Sequence, residues 1–259
     1  MSLYPNLQIE YNLLLCNTKE IGRDSVREGN SEGIYHVLKR EILTLALEPG
    51  QSLSEHGLCE RFSVSRTPVR TAMQRLQSEG LIEVVPYRGS RVALLDYDEI
   101  QQTLYLRAAV ESAVLRDFIP VCTPMVLEKI RYQVRKQAVL IKGDFQPTQF
   151  YEMDTRMHGI WFRETGKEKL WKMLQKAQVH YTRFRMLDIV ATPDFVGLLR
   201  EHEEFSHLIE EKQVEKVQEL VYRHLYGGLE RLEEHIDKEL RPYFVSSKSG
   251  EWEMEEEMR

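Results

Sequence analysis

The sequence predicts a mainly α-helical protein in two parts, an N-terminal winged helix-turn-helix and a C-terminal antiparallel all-helical bundle. Three observations predict this fold class. Residues 31–95 contain three helical patterns followed by two short β-runs, residues 98–240 contain long segments with a helical period, and proline or glycine stands where these periods stop. Residues 1–30 form an extension without a sustained period, and residues 241–259 form an acidic tail.

The winged part is predicted from start and stop signals. Apolar residues recur every three or four positions from Ser31 to Leu47, which marks one face of a helix, and Pro-Gly follows. Ser54 is a candidate cap for a short second helix, and Ser65 is one for a third helix that closes at Gly80. Residues 81–95 then give two β-runs around a turn, so we expect three helices and a hairpin.

The second part is predicted to hold six long helices. They span Asp98–Phe118, Pro124–Lys142, Thr148–Thr165, Lys167–Leu187, Pro193–Lys212 and Val214–Leu240. Pro120, Gly143, Gly166 and Pro193 all fall at their boundaries. Because the connections are short, we expect neighbouring helices to run antiparallel as a bundle.

The composition is that of a folded, globular chain. Of 259 residues, 42% are apolar, and 35 basic residues against 41 acidic ones give a net charge of −6. No run approaches the ~18 consecutive apolar residues of a membrane-spanning helix. The three cysteines have no C-x-x-C spacing, so neither a disulfide framework nor a thiolate zinc site is indicated. We therefore expect a cytoplasmic protein with no membrane partner.

The third helix has one apolar and one polar face. In a helical projection, Val69 and Leu76 lie opposite Thr67, Arg70 and Gln74, and the segment 61–78 has four arginines and no acidic residue. Arginine can bond guanine through two N–H groups at once, so this face suits the major groove of DNA. The candidate DNA-contacting residues, with the hairpin turn included, are Ser65, Arg66, Thr67, Arg70, Gln74, Arg88 and Gly89. The alternative is a solvated basic helix beside an ordinary hairpin.

Residues 31–95 resemble the DNA-binding domain of the GntR family of bacterial repressors. The elements PG, L-x-E, SRTPVR, RL and EGL stand in the family's order and spacing within the run PGQSLSEHGLCERFSVSRTPVRTAMQRLQSEGLIEVVPYRGSRV. The resemblance implies that Arg66 and Arg70 contact bases and that Gly89 lets the wing approach the minor groove. Two positions depart from the pattern, His56 where some relatives have a base-contacting arginine and Thr71 where a glutamate is usual.

Asp154 and His158 are four residues apart on one predicted helix, so their side chains point the same way. A carboxylate and an imidazole at this spacing suit a divalent metal ion. The same pair also suits an ordinary hydrogen bond on the surface or in the core. His202 and His224, on the last two predicted helices, add little by themselves.

Residues 98–240 resemble the FCD effector domain of GntR proteins. Many of its members bind metal through Asp-x3-His on one helix and one histidine on each of the last two, and the matching runs here are MDTRMHGIW, REHEEFSHLI and VYRHLYGGL. The resemblance implies that Asp154, His158, His202 and His224 hold a divalent ion such as Zn, Ni or Mn. Val217 and Gln213 replace a usual alanine and aspartate, respectively. A polar cluster without metal is the alternative.

Two arginines are candidate effector contacts. A metal held by three histidines and one aspartate would attract a carboxylate effector. Arg107 begins an R-x3-E pattern with Glu111, and Arg183 follows His180 and Tyr181 on one predicted helix, where it could clamp an anion. An intrahelical salt bridge is the alternative role for Arg107.

The sequence therefore predicts a metabolite-responsive transcriptional regulator that is not an enzyme. We expect a repressor that binds a palindromic operator in double-stranded DNA as a homodimer and responds to a small carboxylate. A metal-dependent hydrolase and a structural-metal DNA-binding protein without effector are the alternatives. Against a hydrolase, the chain has no G-x-S-x-G, H-E-x-x-H or P-loop motif.

Overall fold

The computed structural model describes residues 30–245 except Gln178. The chain divides into two compact units. The first comprises the described residues of Met1–Asp98 and Glu234–Arg259 together with Thr182–Phe184. The second comprises Glu99–Tyr181, without Gln178, and Arg185–Glu233. Nearly all of the predicted N-terminal extension and most of the predicted acidic tail lie outside the described residues. None of the helices described is long and apolar enough to span a membrane.

The first unit has the predicted three helices and hairpin, with one further strand. Its elements are α1 (Ser31–Leu43), β1 (Ser52–Leu53), α2 (Glu55–Phe62), α3 (Arg66–Ser78), β2 (Ile82–Val85) and β3 (Gly89–Val92). The three strands form an antiparallel sheet in the order β1-β3-β2, and Val85 lies opposite Gly89 at the wing. Helix α1 ends four residues earlier than expected because Leu45 adopts a positive φ of 61°.

Helix α3 buries one face, as its period predicts. Val69, Ala72, Met73 and Leu76 are its buried residues. Ser65 occupies the N-cap position, but its hydroxyl makes no capping hydrogen bond. The helix ends before Gly80, whose φ of +71° is a conformation that suits glycine.

The rest of the described chain is helical, as predicted, in seven described segments. They are α4 (Tyr97–Val121), α5 (Pro124–Leu140), α6 (Pro147–Glu164), α7 (Glu168–Ala177), α8 (Val179–Ala191), α9 (Phe195–Glu210) and α10 (Val217–Ile236). The single helix expected over Lys167–Leu187 coincides with most of α7 and the first part of α8, and Gln178 between them lies outside the described residues, so its continuity stays a prediction.

Pro120 does not end α4 as expected. The helix runs on to Val121 with the proline inside it. Because Pro120 lies in the last turn, the missing N–H removes a single hydrogen bond at a point where the helix stops anyway. The last described residues return to the first unit, where Leu95 and Phe244 form a parallel bridge.

The second unit has a polar centre inside an apolar core. Trp161, Phe150, Phe162 and Phe205 are fully buried there. Asp154 and His158 lie on α6 with Phe150, Trp161 and Phe162 and are each only 1% exposed. Buried groups of this kind require partners, so the helices around them must supply polar side chains.

Candidate nucleic-acid interface and candidate metal centre

The N-terminal half of α3 exposes the polar residues that the sequence singled out. Arg66, Thr67, Arg70 and Gln74 are all exposed, as is Ser65 just before the helix. The first turn contains no acidic residue. The free backbone N–H groups of that turn and the uncommitted Ser65 hydroxyl are suitable donors to phosphate oxygens.

The two arginines of this face differ in their contacts. Arg66 has no side-chain partner among the described residues, whereas the Nε of Arg70 donates to Oε1 of Glu55 at 3.0 Å. Glu55 begins α2, so it holds the Arg70 guanidinium over the exposed face and leaves its two terminal nitrogens uncommitted. The sequence contains Glu55 as the glutamate of the L-x-E element but gives no sign of this contact.

Arg75 contacts α1 of the same unit instead. Its guanidinium lies 3.6 Å from the ring centroid of Tyr35 on α1, and Nη1 donates to Oε2 of Glu32 at 2.6 Å. The nearby Lys39 and Tyr35 both donate to Glu79 just beyond α3. Arg75 therefore belongs to the contact between α1 and α3.

The wing exposes Arg88 and Gly89, the two hairpin residues that the sequence singled out. Gly89 has a φ of +86°, and a Cβ there would meet nothing within 4 Å. The backbone conformation, rather than a lack of space, therefore favours glycine at this position. Arg91 is engaged inside the hairpin, where its Nε donates to Glu83 at 2.8 Å.

The second unit brings together the four candidate metal ligands. Asp154 and His158 come from α6, His202 from α9 and His224 from α10, and all four are buried. One ligand atom from each lies within 4.8 Å of those of the other three. From Asp154 Oδ1, the Nε2 atoms of His202, His158 and His224 lie at 3.0, 3.5 and 3.6 Å, respectively.

The outer nitrogen of each imidazole faces an oxygen that can only accept a hydrogen bond. His158 Nδ1 lies 2.5 Å from Glu111 Oε2, His202 Nδ1 lies 2.6 Å from Gln137 Oε1, and His224 Nδ1 lies 2.7 Å from Glu201 Oε2. Each Nδ1 therefore carries the proton, and in a neutral imidazole Nε2 is then an acceptor. Three Nε2 lone pairs and a carboxylate oxygen consequently converge on one buried point.

This convergence fits a cation. Asp154 Oδ1, His158 Nε2 and His202 Nε2 are buried atoms without a hydrogen-bond partner. Acceptors cannot satisfy one another, and leaving such groups unpaired in the interior costs free energy. Imidazole nitrogens and a carboxylate oxygen are ligands for divalent transition metals. Metal-binding histidines usually donate their other ring N–H to an oxygen, as each Nδ1–H does here.

Two arginines, Arg107 buried and Arg185 partly buried, balance the carboxylates of the cluster. The Nε of Arg107 donates to Glu111 at 2.7 Å, and the Nη2 of Arg185 donates to Asp154 Oδ2 at 2.9 Å. Arg185 also lies 4.2 Å above the ring of Tyr151. Asp154 thus uses one oxygen for Arg185 and directs the other toward the histidines.

The protein's own charges shift the pKa values of this cluster strongly. Burial would raise the pKa of Glu111, but Arg107 and then His158 outweigh it and lower the pKa to about 2. Burial likewise opposes a charged His158, yet the neighbouring Glu111 and Asp154 raise its pKa to about 9. Burial lowers the pKa of His202 to about 4. Asp154 and Glu111 therefore favour a positive charge at His158, either a second proton on its Nε2 or a cation bound there in place of that proton, while the imidazole of His202 stays neutral.

The two candidate effector arginines occupy different surroundings. Arg107 is 2% exposed and committed to Glu111, so its salt bridge is present. Arg183 is fully buried within the first unit, donates to the Ala93 carbonyl, and keeps Nε and Nη1 without partners. Burial without a counter-charge lowers its pKa to about 10. Arg185, two residues further along α8, is the arginine that contacts Asp154, and the sequence gives no sign of this contact.

Comparison with protein families matches both parts of the chain. The family described as bacterial regulatory proteins, gntR family, matches residues 30–92, and the FCD domain matches residues 102–227. These segments contain the exposed α3 face and all four residues of the histidine cluster.

Two curated relatives align over most of the chain. The HTH-type transcriptional repressor RspR of Escherichia coli K12 is 29% identical over 197 residues, which cover 75% of this chain and 85% of that protein. An HTH-type transcriptional regulator in an unstable DNA locus of Streptomyces ambofaciens is 30% identical over 209 residues, with 80% and 87% covered, respectively.

Solved structures share the fold. A GntR transcriptional regulator from Rhodococcus sp. RHA1 superposes with a TM-score of 0.62 at 19% identity and covers 78% of this chain and 97% of its own. McbR/YncC from E. coli gives a TM-score of 0.57 at 19% identity, with 82% and 98% covered.

Removing the Glu111 carboxylate should destabilise the bundle strongly. Glu111→Ala leaves the buried guanidinium of Arg107 without its anion, so we expect the free energy of unfolding to fall by about 3–5 kcal/mol. Glu152→Ala, which breaks an exposed pair with Arg156, should change it by less than about 1 kcal/mol. Urea unfolding of both variants measures the difference, and equal losses would contradict the structural role of Glu111.

Proposed function

Because this chain belongs to the GntR family of bacterial regulatory proteins and carries an FCD domain, we propose that it is a repressor with an effector site at the histidine cluster. It binds a palindromic operator as a homodimer and releases it when a small carboxylate occupies that site. The observation that carries the proposal is the convergence of unpaired acceptors from Asp154, His158 and His202 inside the domain that follows the DNA-binding unit.

The exposed half of α3 supports base reading by Arg66 and Arg70. The N-terminal end of the second helix of a helix-turn-helix enters the major groove, and arginine binds guanine O6 and N7 there. Arg70 is fixed by Glu55 through Nε only, which leaves the two terminal nitrogens for a bidentate contact. Ser65, Thr67 and Gln74 flank the arginines as contacts to phosphates and base edges.

Arg70→Ala should weaken operator binding and reduce its selectivity. Loss of a bidentate guanine contact costs about 1–3 kcal/mol at that base pair. Arg75→Ala is the matched control, since its guanidinium stacks on Tyr35 within the same unit. Gel-shift titrations with operator and scrambled duplexes compare the two variants. Equal losses of selectivity would refute the assignment of Arg70 to base reading.

The small number of base contacts that one DNA-reading unit can make supports a homodimer. A single winged unit offers few base contacts, and a two-fold protein matches a two-fold operator. Sedimentation should give about twice the chain mass of 30.6 kDa at micromolar concentration. One operator should bind two chains, and a monomer that binds the operator one to one would contradict this part of the proposal.

The four clustered residues suit a divalent ion such as Zn, Ni or Mn. His158, His202 and His224 would bind through Nε2 and Asp154 through Oδ1, while Glu111, Gln137 and Glu201 hold the rings in place. When bound, the ion would supply positive charge that attracts an effector carboxylate. Since Arg107 and Arg185 already balance Glu111 and Asp154, the added charge favours an anionic ligand.

The arginines have separate proposed roles. Arg185 contacts Asp154 directly and therefore orients a metal ligand beside the effector. Arg107 acts on the same centre through Glu111 and His158. Direct contact of Arg107 or Arg183 with the effector stays a prediction. We propose no catalysis here, because Glu111 and Glu201 are each engaged by an imidazole and neither is a free general base.

His202→Ala should abolish metal binding. In metal-stripped wild type, a free metal concentration a hundred times the dissociation constant should stabilise the native state by about 2.7 kcal/mol. The effect should vanish in His202→Ala and persist in His235→Ala, whose partly exposed ring pairs with Glu239 outside the cluster. Thermal unfolding with added Zn, Ni or Mn, together with metal analysis, makes the comparison.

Acid should remove the metal from wild type, because coordinating imidazoles must be neutral. If none of the three ions stabilises wild type, or if His202→Ala retains its metal, the four residues form only a buried polar cluster. Adding small carboxylic acids to the metal-loaded protein on operator DNA then tests release. A loaded protein that no carboxylate displaces would favour a structural metal without an effector.

A further inference from the structure

The tip of the wing carries a tyrosine in an unusual position. Tyr87 lies between Pro86 and Arg88 in the loop that joins β2 to β3. Its side chain is fully exposed, at 107% of the reference area, and it has no hydrogen-bond or ring partner among the residues that the structure describes. It is the most exposed large apolar side chain of the described chain.

The backbone at Tyr87 is also unfavourable for that residue. The Arg88 N–H donates to the Val85 carbonyl at 3.0 Å and closes a four-residue turn. Pro86 takes the second position of the turn, and Tyr87 takes the third with a φ of +62°. A proline followed by a positive φ is the pattern of a type II turn, which favours glycine or asparagine at its third position. Neither packing nor turn geometry therefore accounts for a tyrosine here.

The neighbours of Tyr87 suit a polyanion. The Arg88 side chain is exposed and has no ion pair among the described residues, and Gly89 offers bare backbone with open space around it. An aromatic ring, a guanidinium and a glycine, from Tyr87, Arg88 and Gly89, therefore follow one another at the end of a narrow hairpin. Arginine side chains can enter a minor groove, and large apolar side chains beside them can contact the nucleotides there.

We propose that Tyr87 is a DNA-contacting residue of the wing. Its ring lies against the deoxyribose wall of the minor groove beside the half-site, and its hydroxyl donates to a phosphate oxygen. The contact contributes affinity on any duplex sequence, because sugars and phosphates carry no base identity. Arg88 adds charge at the same place, while α3 reads the major groove. This inference rests on the proposed operator binding and adds a contact to it.

The test separates a DNA contact from a structural role. Tyr87→Gly removes the ring and suits the positive φ, so its melting temperature should equal or exceed that of wild type. Its dissociation constant for a short duplex selected by the wild-type protein should rise by about three- to tenfold. Tyr87→Phe keeps the ring and should lose less. Tyr132→Ala, which removes an exposed tyrosine from α5, is the control and should bind normally.

Footprinting of the full-length protein locates the contact. Hydroxyl radicals attack deoxyribose from the minor groove, and dimethyl sulfate attacks guanine N7 in the major groove. At saturation, Tyr87→Gly should keep the guanine protection and lose the sugar protection next to it. If Tyr87→Gly leaves both the affinity and the sugar protection unchanged, the inference is overturned and operator binding is not. The same holds if Tyr87→Gly loses affinity only together with a lower melting temperature. Absence of both protections in wild type would overturn the proposed function as well.

Discussion

The fold of the second unit depends on the burial of one carboxylate. Asp154 is 1% exposed, and no single neighbour satisfies it. Arg185 of α8 takes one oxygen, and the histidines of α6, α9 and α10 surround the other. Because an isolated buried carboxylate is very costly, these four helices must remain in register around it. Sliding one helix by a single turn, about 5.4 Å, would leave charges without partners.

The need for hydrogen-bond partners also involves further helices. Each imidazole that faces Asp154 has an outer N–H that also needs an acceptor, and α4, α5 and α9 supply Glu111, Gln137 and Glu201. Glu111 in turn needs Arg107 one turn earlier on α4. The polar network therefore links six of the described helices of one unit, α4, α5, α6, α8, α9 and α10, through directional contacts, whereas apolar packing alone would tolerate several arrangements. A ligand at the centre of this network would act on all of these helices through their hydrogen bonds. An effector site needs such connections in order to favour one arrangement of the helices over another.

Much of this architecture could be predicted from local patterns. The face of α3 and the pairing of Asp154 with His158 follow from helical spacing, which a sequence displays directly. Glu111, Gln137, Glu201 and Arg185 could not be found in this way, because their contacts join residues that are 23 to 65 positions apart.

The two candidate sites show opposite forms of incomplete bonding. On α3 and the wing, donors are exposed, so water satisfies them until an anionic partner replaces it. Exposing Arg66 and Arg88 therefore costs the free protein little free energy. Arg75 differs from them because it already contacts Tyr35 and Glu32. At the centre formed by Asp154, His158 and His202, the unpaired atoms are Asp154 Oδ1, His158 Nε2 and His202 Nε2, which are buried, so the cost of leaving them unpaired is present from the moment the helices pack. An exposed site can thus tolerate sequence change with little effect on folding, whereas the buried one couples any change in its ligands to the stability of the whole unit.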